Sequence, residues 1–332
     1  MNDTTQNGNW SLLSGYRGEL MGAATLWIVL LHSTIWFSLF PFAYVKMTGY
    51  CGVDCFLLLS AVGLYFSWHN SDRNVLNFYR RRLLRIYPSY LIVVILRFFL
   101  ENTGKRYVVL AAMTLSFWIL DDLSAWFIAA IMVLYLLSPL ILKIMDSKYR
   151  RIGMCLLWAA ALLAGWLMRR TPQNLFFVRI PSFLLGFSAA KRVYAKEPVT
   201  VRDKAILAAA FLTGTVLMII CQRNLVQQYE TLDWILRWYS VLLFEVPLLL
   251  IISAGAAKTA GSLFNRILSF IGSISLEIYL LFEVFLRLFR ETPLARLPFE
   301  YHGWVYSLII LCITIAAAYA VHRIAALAVK KR

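Results

Sequence analysis

The sequence predicts an all-α, polytopic membrane bundle of about ten transmembrane helices. Three observations predict it. Of the 332 residues, 61% are hydrophobic and the mean hydropathy is +0.70, whereas a soluble domain of this size is about half apolar. Apolar runs of spanning length recur from residue 20 to the C-terminus. In hydrocarbon such runs must satisfy their own backbone as helices, and the alternating segments of a membrane β-barrel do not occur. Finally, the basic residues collect between the apolar runs in an alternating pattern, as the positive-inside rule requires.

The runs fall near 20–42, 51–68, 88–101, 106–120, 125–144, 152–168, 175–190, 204–221, 233–254, 267–289 and 304–322, eleven in all. Arg323, Lys330, Lys331 and Arg332 place the C-terminus on the cytoplasmic side. Counting backward, three further basic loops share that side. They are 255–266 (Lys258, Arg266), 191–204 (Lys191, Arg192, Lys196, Arg202, Lys204) and 145–151 (Lys148, Arg150, Arg151). The opposing loops carry Asp121 and Asp122, Arg169 and Arg170, then Arg223 and Glu230, and last the stretch 291–303. Eleven crossings would put Arg80–Arg85 outside. The runs 88–101 and 106–120 are each shorter than the ~20 residues that span a bilayer. The expectation is therefore one net crossing over 88–120, part of it re-entrant or interfacial, giving ten spans with both termini cytoplasmic. No linker or short repeat interrupts the chain, so 1–332 reads as a single integral domain.

The net charge of +16 in such a chain points to orientation and anionic lipid headgroups, not to nucleic acid. Cys51, Cys55, Cys155, Cys221 and Cys312 are scattered through apolar segments and read as small buried hydrophobes. Cys51 and Cys55 lack two further ligands nearby, so no metal site is expected. The polar start MNDTTQNGNWSLLSGYRGEL has no basic n-region, and no cleavable signal peptide is expected.

The densest feature is FYRRRLLRIYP, with Arg80, Arg81, Arg82 and Arg85. Guanidinium is fixed charge and cannot lie in the hydrocarbon core. The stretch reads as a topology marker and as a docking site for phosphate, which Arg binds bidentately. His32 lies within the first run, in TLWIVLLHSTIWF. It is either a hydrogen-bonded packing residue or a base, since an imidazole titrates near neutrality. Arg17 and Glu19 precede it. Arg17 is ~22 Å away along a continuous helix, too far for contact but near the same face. Asp54, in GYCGVDCFLLLSAVG, needs a partner or water. It orients His32, pairs with an arginine of the basic stretch, or caps a helix N-terminus through the dipole.

Taken in order, His32, GVDCFLLLSAVGL, FYRRRLLRIYPSYL, SAWFIAAIMVLYLLSPLI, RIPSFLLGF and LSFIGSISLEIYLL resemble the acyltransferase-3 family of bacterial integral-membrane acyltransferases. The likeness runs from about residue 15 to 322. It implies a ten-span enzyme of the cytoplasmic (inner) membrane. Such enzymes move an acyl group, usually acetyl from acetyl-CoA, onto a hydroxyl of an envelope saccharide or lipid-linked glycan. By resemblance His32 is the base, and Arg81, Arg82, Arg85 and Pro88 form the acyl-CoA element. Gly52, Asp54 and Ser60 match another element, with Ala61 where the family favours Gly. Trp126, Tyr135 and Pro139 match a third, and Arg179, Pro181 and Gly186 a fourth. Glu19, Trp126, Tyr135 and Arg179 are the expected acceptor-side residues. Two departures stand out. The family arginine eleven residues before the histidine is Met21 here, with Arg17 one helical turn further upstream. The late histidine after Tyr-Leu-Leu is Phe282, followed by Glu283. No serine or cysteine has a clear adjacent base, so direct transfer is expected over a covalent intermediate. The rival reading is a transporter or a lipid-linked glycan flippase, which intramembrane charges would also suit.

Overall fold

The structure, a computed structural model, describes residues 9–291 and 299–330. The ends of the chain and part of the 291–303 stretch, including the His302 side chain, lie outside the described residues. The described chain is helical, with no strand beyond an isolated bridge between Asn9 and Pro198. Among the described residues, seven helices are long and apolar enough to cross a membrane: Phe40–His69, Val75–Leu100, Trp126–Asp146, Arg150–Leu167, Val201–Gln222, Glu230–Lys258 and Gly303–Val329. The pair Leu263–Ser273 and Ser275–Leu288, bent by 76° at a break, makes eight if counted as one span. Reaching ten requires Arg17–His32 and Ile180–Tyr194, which are only 16 and 15 residues long.

The chain forms two compact units. The first comprises Met1–Ala24, Tyr50–Arg73 and Ser138–Gly272. Its centre is Cys51–His69, apolar on all faces and buried along most of its length, as a helix without a polar stripe must be. It packs on Ile180–Tyr194. The two backbones meet at Gly186, where a Cβ would stand 2.5 Å from the Leu58 carbonyl oxygen and 2.8 Å from the Ala61 methyl. Small residues at a crossing allow such approach inside a membrane. Gly186→Leu is therefore expected to cost about 1–3 kcal/mol or more by overpacking. It would be read as a lower melting temperature or loss of monodisperse protein in detergent. Val201–Gln222 starts at a capping box, in which Thr200 and Asp203 bond each other's backbone N–H. Arg192 forks onto the same Asp203 at 2.9 and 2.8 Å.

The second unit comprises Thr25–Gly49, Asn74–Leu137 and Ser273–Arg332. Its axis is Val75–Leu100, 26 residues long and thus ~39 Å. Asn74 caps it by accepting from the N–H groups of Leu76 and Asn77. Ser275–Leu288 and Phe299–Lys330 pack against it. Two short helices follow, Lys105–Ala112 and Ser116–Leu120, neither long enough to cross. Tyr87 and Tyr90 on the long helix donate to the Ala112 and Ala111 carbonyls, both at 2.8 Å, and so hold the first short helix by its C-terminus.

Several sequence boundaries are corrected. The run 20–42 is not one helix: it ends at His32, is non-helical over 33–39 and resumes at Phe40–Met47. The arginine stretch is not a loop between spans but part of Val75–Leu100, which begins well before residue 88. The run 233–254 divides at Ser240, into Glu230–Tyr239 and Val241–Lys258. Cys155 and Cys312 are exposed, unlike the other three cysteines.

Candidate functional site

His32 is the last residue of its helix, and several groups fix that ending. Ser33 Oγ donates back to the Leu30 carbonyl at 2.7 Å. The Thr34 N–H leaves the helix and donates to Ser307 Oγ at 3.1 Å. Lys46 Nζ donates to the carbonyl oxygens of Ser33 and Ile35, at 2.8 and 2.6 Å. A cation at this end also complements the helix dipole. Gly303 lets Phe299–Lys330 approach, since a Cβ there would stand 2.8 Å from the Thr34 carbonyl oxygen. The His32 side chain is exposed at the tip of this turn. The charge of Glu283, on Ser275–Leu288, reaches it. Glu283 directly follows Phe282, the position where the sequence departs from the resemblance.

The arginines belong to the same unit. At 100° per residue, Arg81, Arg82 and Arg85 lie within an arc of about 100°, and Arg80 is about 160° from Arg82. Arg80, Arg81 and Arg85 are exposed; Arg82 is half-buried. Its guanidinium lies over the Phe78 ring, 5.5 Å from the centroid, and within the electrostatic reach of Tyr135, Arg81 and Arg85. Arg82 Nε is buried and has no hydrogen-bond partner. Tyr135 is buried on Trp126–Asp146. Trp126, the first residue of that helix, is half-buried beside Phe127, whose ring packs on Tyr279 at 5.1 Å.

One turn beyond Arg85, Ser89 Oγ donates to Glu277 Oε1 at 2.6 Å. The same oxygen bonds His322 Nδ1 at 3.1 Å. This chain ties together Val75–Leu100, Ser275–Leu288 and Phe299–Lys330, the three helices that carry the arginines, Glu283 and His322. His322 is not marked by any local sequence signal; only its packing against a buried acid singles it out. At the far end of Val75–Leu100, Arg97 donates to Glu101 at 2.9 Å and to Ser124 at 2.7 Å. Asp122 accepts from Tyr107 at 2.7 Å and from Ser124. Burial pushes the Asp122 carboxyl up, but Ser124, Tyr107 and the Arg97 charge outweigh it and hold it below the usual carboxylate range.

The remaining expected residues lie in the first unit. Asp54 is buried. It accepts from Ser182 Oγ at 3.2 Å and faces Arg179 Nε at 4.0 Å. The arginine that Asp54 faces is Arg179 and not one of the basic stretch, and Asp54 lies in the first turn of Cys51–His69, as the helix N-terminus reading expects. The Arg179 guanidinium lies 5.0 Å from the Trp238 ring centroid. Glu245, fully buried in this unit, has neither carboxylate oxygen hydrogen-bonded. Arg17 Nε donates to the Leu59 carbonyl at 3.3 Å. Glu19 is half-buried beside it in sequence and forms no ion pair among the described residues.

The family model of an acyltransferase domain, Acyl_transf_3, matches residues 22–323. The chain belongs to the acyltransferase-3 family. The match runs through both units and includes His32, Asp54, the arginine stretch and Arg179; Arg17 and Glu19 precede it. Comparison with curated proteins and with solved structures returned no match. As an acyltransferase-3 protein with several spanning helices, the chain is a multi-pass membrane acyltransferase.

Proposed function

We propose that this acyltransferase moves an acetyl group from cytoplasmic acetyl-CoA to a hydroxyl of an envelope saccharide, free or lipid-linked. The observation that supports the reading is that the second unit holds both an accessible His32, at a fixed helix end, and an arginine face on Val75–Leu100. His32 takes the acceptor hydroxyl proton as that oxygen attacks the thioester carbonyl. The new C–O bond forms, the C–S bond breaks, and the CoA thiolate leaves and receives the proton. Glu283 stabilises the imidazolium while it exists. Arg81, Arg82 and Arg85 clamp the CoA phosphates by charge-assisted bonds; Arg80 lies off that face. Trp126 and Tyr135 line the acceptor side. In the first unit Asp54 and Arg179 hold a buried pair, and Arg17, on the helix Arg17–His32 together with Glu19, bonds the Leu59 carbonyl.

Thiol release by the purified, reconstituted protein tests this. Release that requires both acetyl-CoA and the saccharide supports transfer; saccharide translocation without release supports the flippase reading.

Lys46 gives a sharper test of how His32 is placed. Lys46→Met keeps the stem but leaves the Ser33 and Ile35 carbonyls without their donor, at about 1–3 kcal/mol. The expected outcome is a kcat about tenfold or more lower at an unchanged KM for acetyl-CoA, measured by the same thiol release.

A further inference from the structure

The first unit contains a groove that the acyl-transfer reading does not use. It lies between Val201–Gln222 and Val241–Lys258 and has a volume of about 480 Å³. Its origin is visible in the sequence. The two helices touch at Gly214, where a Cβ would stand 3.0 Å from the Ser240 carbonyl oxygen. Further along, Pro247 sits inside the second helix, where a proline removes a backbone hydrogen bond and bends the axis. Leu207, Phe211, Leu250 and Ile251 line the groove. Phe211 is held there by stacking on Phe244 at 5.1 Å. At the other end the lining is Asn9, Leu12, Val199 and Lys204. That end is a built structure. The Trp10 backbone N–H donates to the Glu197 carbonyl at 3.0 Å, and Arg192 lies 4.4 Å from the Trp10 ring centroid.

The charges at the groove's mouth that are left outside ion pairs are of one sign. Arg192 is neutralised by Glu197 and Asp203. Lys204 is exposed and has no ion pair among the described residues, and the same holds for Lys258. Lys258 lies one turn beyond Ala254, which lines the groove. An apolar slot between membrane helices, with the Lys204 ammonium in its lining and Lys258 one turn beyond that lining, matches a molecule with a long hydrocarbon chain and an anionic head.

We propose that the groove binds one acyl chain of an anionic phospholipid, with its phosphate held between Lys204 and Lys258. By the positive-inside rule this is the cytoplasmic end, where the leaflet is anionic. The site is independent of His32 and of the arginine face, so its failure would leave the catalytic reading untouched.

Native mass spectrometry of the full chain in detergent tests the site, with phosphatidylglycerol and phosphatidylcholine of identical acyl chains as probes. Each lysine near an anionic phosphate is worth about a factor of five in affinity, so the pair should give phosphatidylglycerol about a thirtyfold preference. The double variant Lys204→Ser/Lys258→Ser should abolish that preference. Both lysines are exposed, so the fold should survive. Arg202→Ser is the control: Arg202 is exposed but about 200° from Lys204 around the helix, and the preference should persist. Ala254→Leu, which narrows the groove, should weaken both lipids together. Equal retention of the two lipids by wild type would overturn the proposal. So would an Arg202→Ser effect as large as that of the lysine pair, which would mean diffuse surface charge, or full retention in Ala254→Leu.

Discussion

His32→Gln is expected to lower acyl transfer by about 10²–10⁴-fold, the range general base catalysis contributes, while acetyl-CoA binding stays near wild type. Gln can make the hydrogen bonds of an imidazole but cannot accept a proton at neutral pH. The substitution therefore separates a base from a packing residue. The setting favours a clean result. The turn is held by Ser33, Thr34 and Lys46, none of which bonds through the imidazole, so the fold should tolerate Gln. Glu283→Gln should give a smaller loss in kcat, because it removes the charge that stabilises the imidazolium but leaves the base. Thiol release and donor binding, measured on the same preparations, check both. Activity in His32→Gln above about a third of wild type would make His32 structural.

Arg82→Ala and Arg85→Ala are each expected to weaken acetyl-CoA binding by about 10- to 150-fold, from about 1.5–3 kcal/mol for a charge-assisted bond. Lys at either position should restore only part, since it keeps the charge without the planar fork. Arg80→Ala should change donor affinity little, because Arg80 points away from the face shared by Arg81, Arg82 and Arg85. The contrast is diagnostic. A stretch that served only as a topology marker would respond to total charge, and Arg80 would then matter as much as Arg85. Calorimetric titration of acetyl-CoA into these five variants reads the pattern directly. Arg82 has a further sensitivity, since its Nε is buried without a partner and its guanidinium also packs on Phe78. Protein yield should accompany the affinity measurement at that position.

The architecture was legible because burial in lipid demands long apolar helices, and these leave a strong signature in sequence. The breaks were not. Residues 33–39, STIWFSL, are as apolar as a helix, so hydropathy runs straight through the end of the helix at His32. The converse error occurred at the arginines. Four charges depress hydropathy and hid three turns of Val75–Leu100, although Asn74 after a Ser-Asp-Arg stretch was a readable cap. The family resemblance was legible from motif order, and His32 from residue type alone. Its surroundings were not legible, because Lys46, Glu283 and Ser307 come from separate segments and meet only through tertiary packing. Asp54 shows the same limit. It could be named as a carboxylate needing a partner, but nothing local marked Arg179, far along the chain, as that partner.

The central claim is that the acetyl group passes from CoA to a saccharide hydroxyl with His32 as the base. The most direct measurement is a single turnover of isotope-labelled acetyl-CoA on the reconstituted protein with the saccharide present. The label is followed onto the saccharide by mass spectrometry, in wild type and in His32→Gln. The account predicts an alkali-labile labelled ester on the saccharide, formed in step with free CoA by wild type and lost in the variant while labelled donor stays bound. Label that never reaches the saccharide in wild type, or reaches it equally fast in His32→Gln, would contradict it.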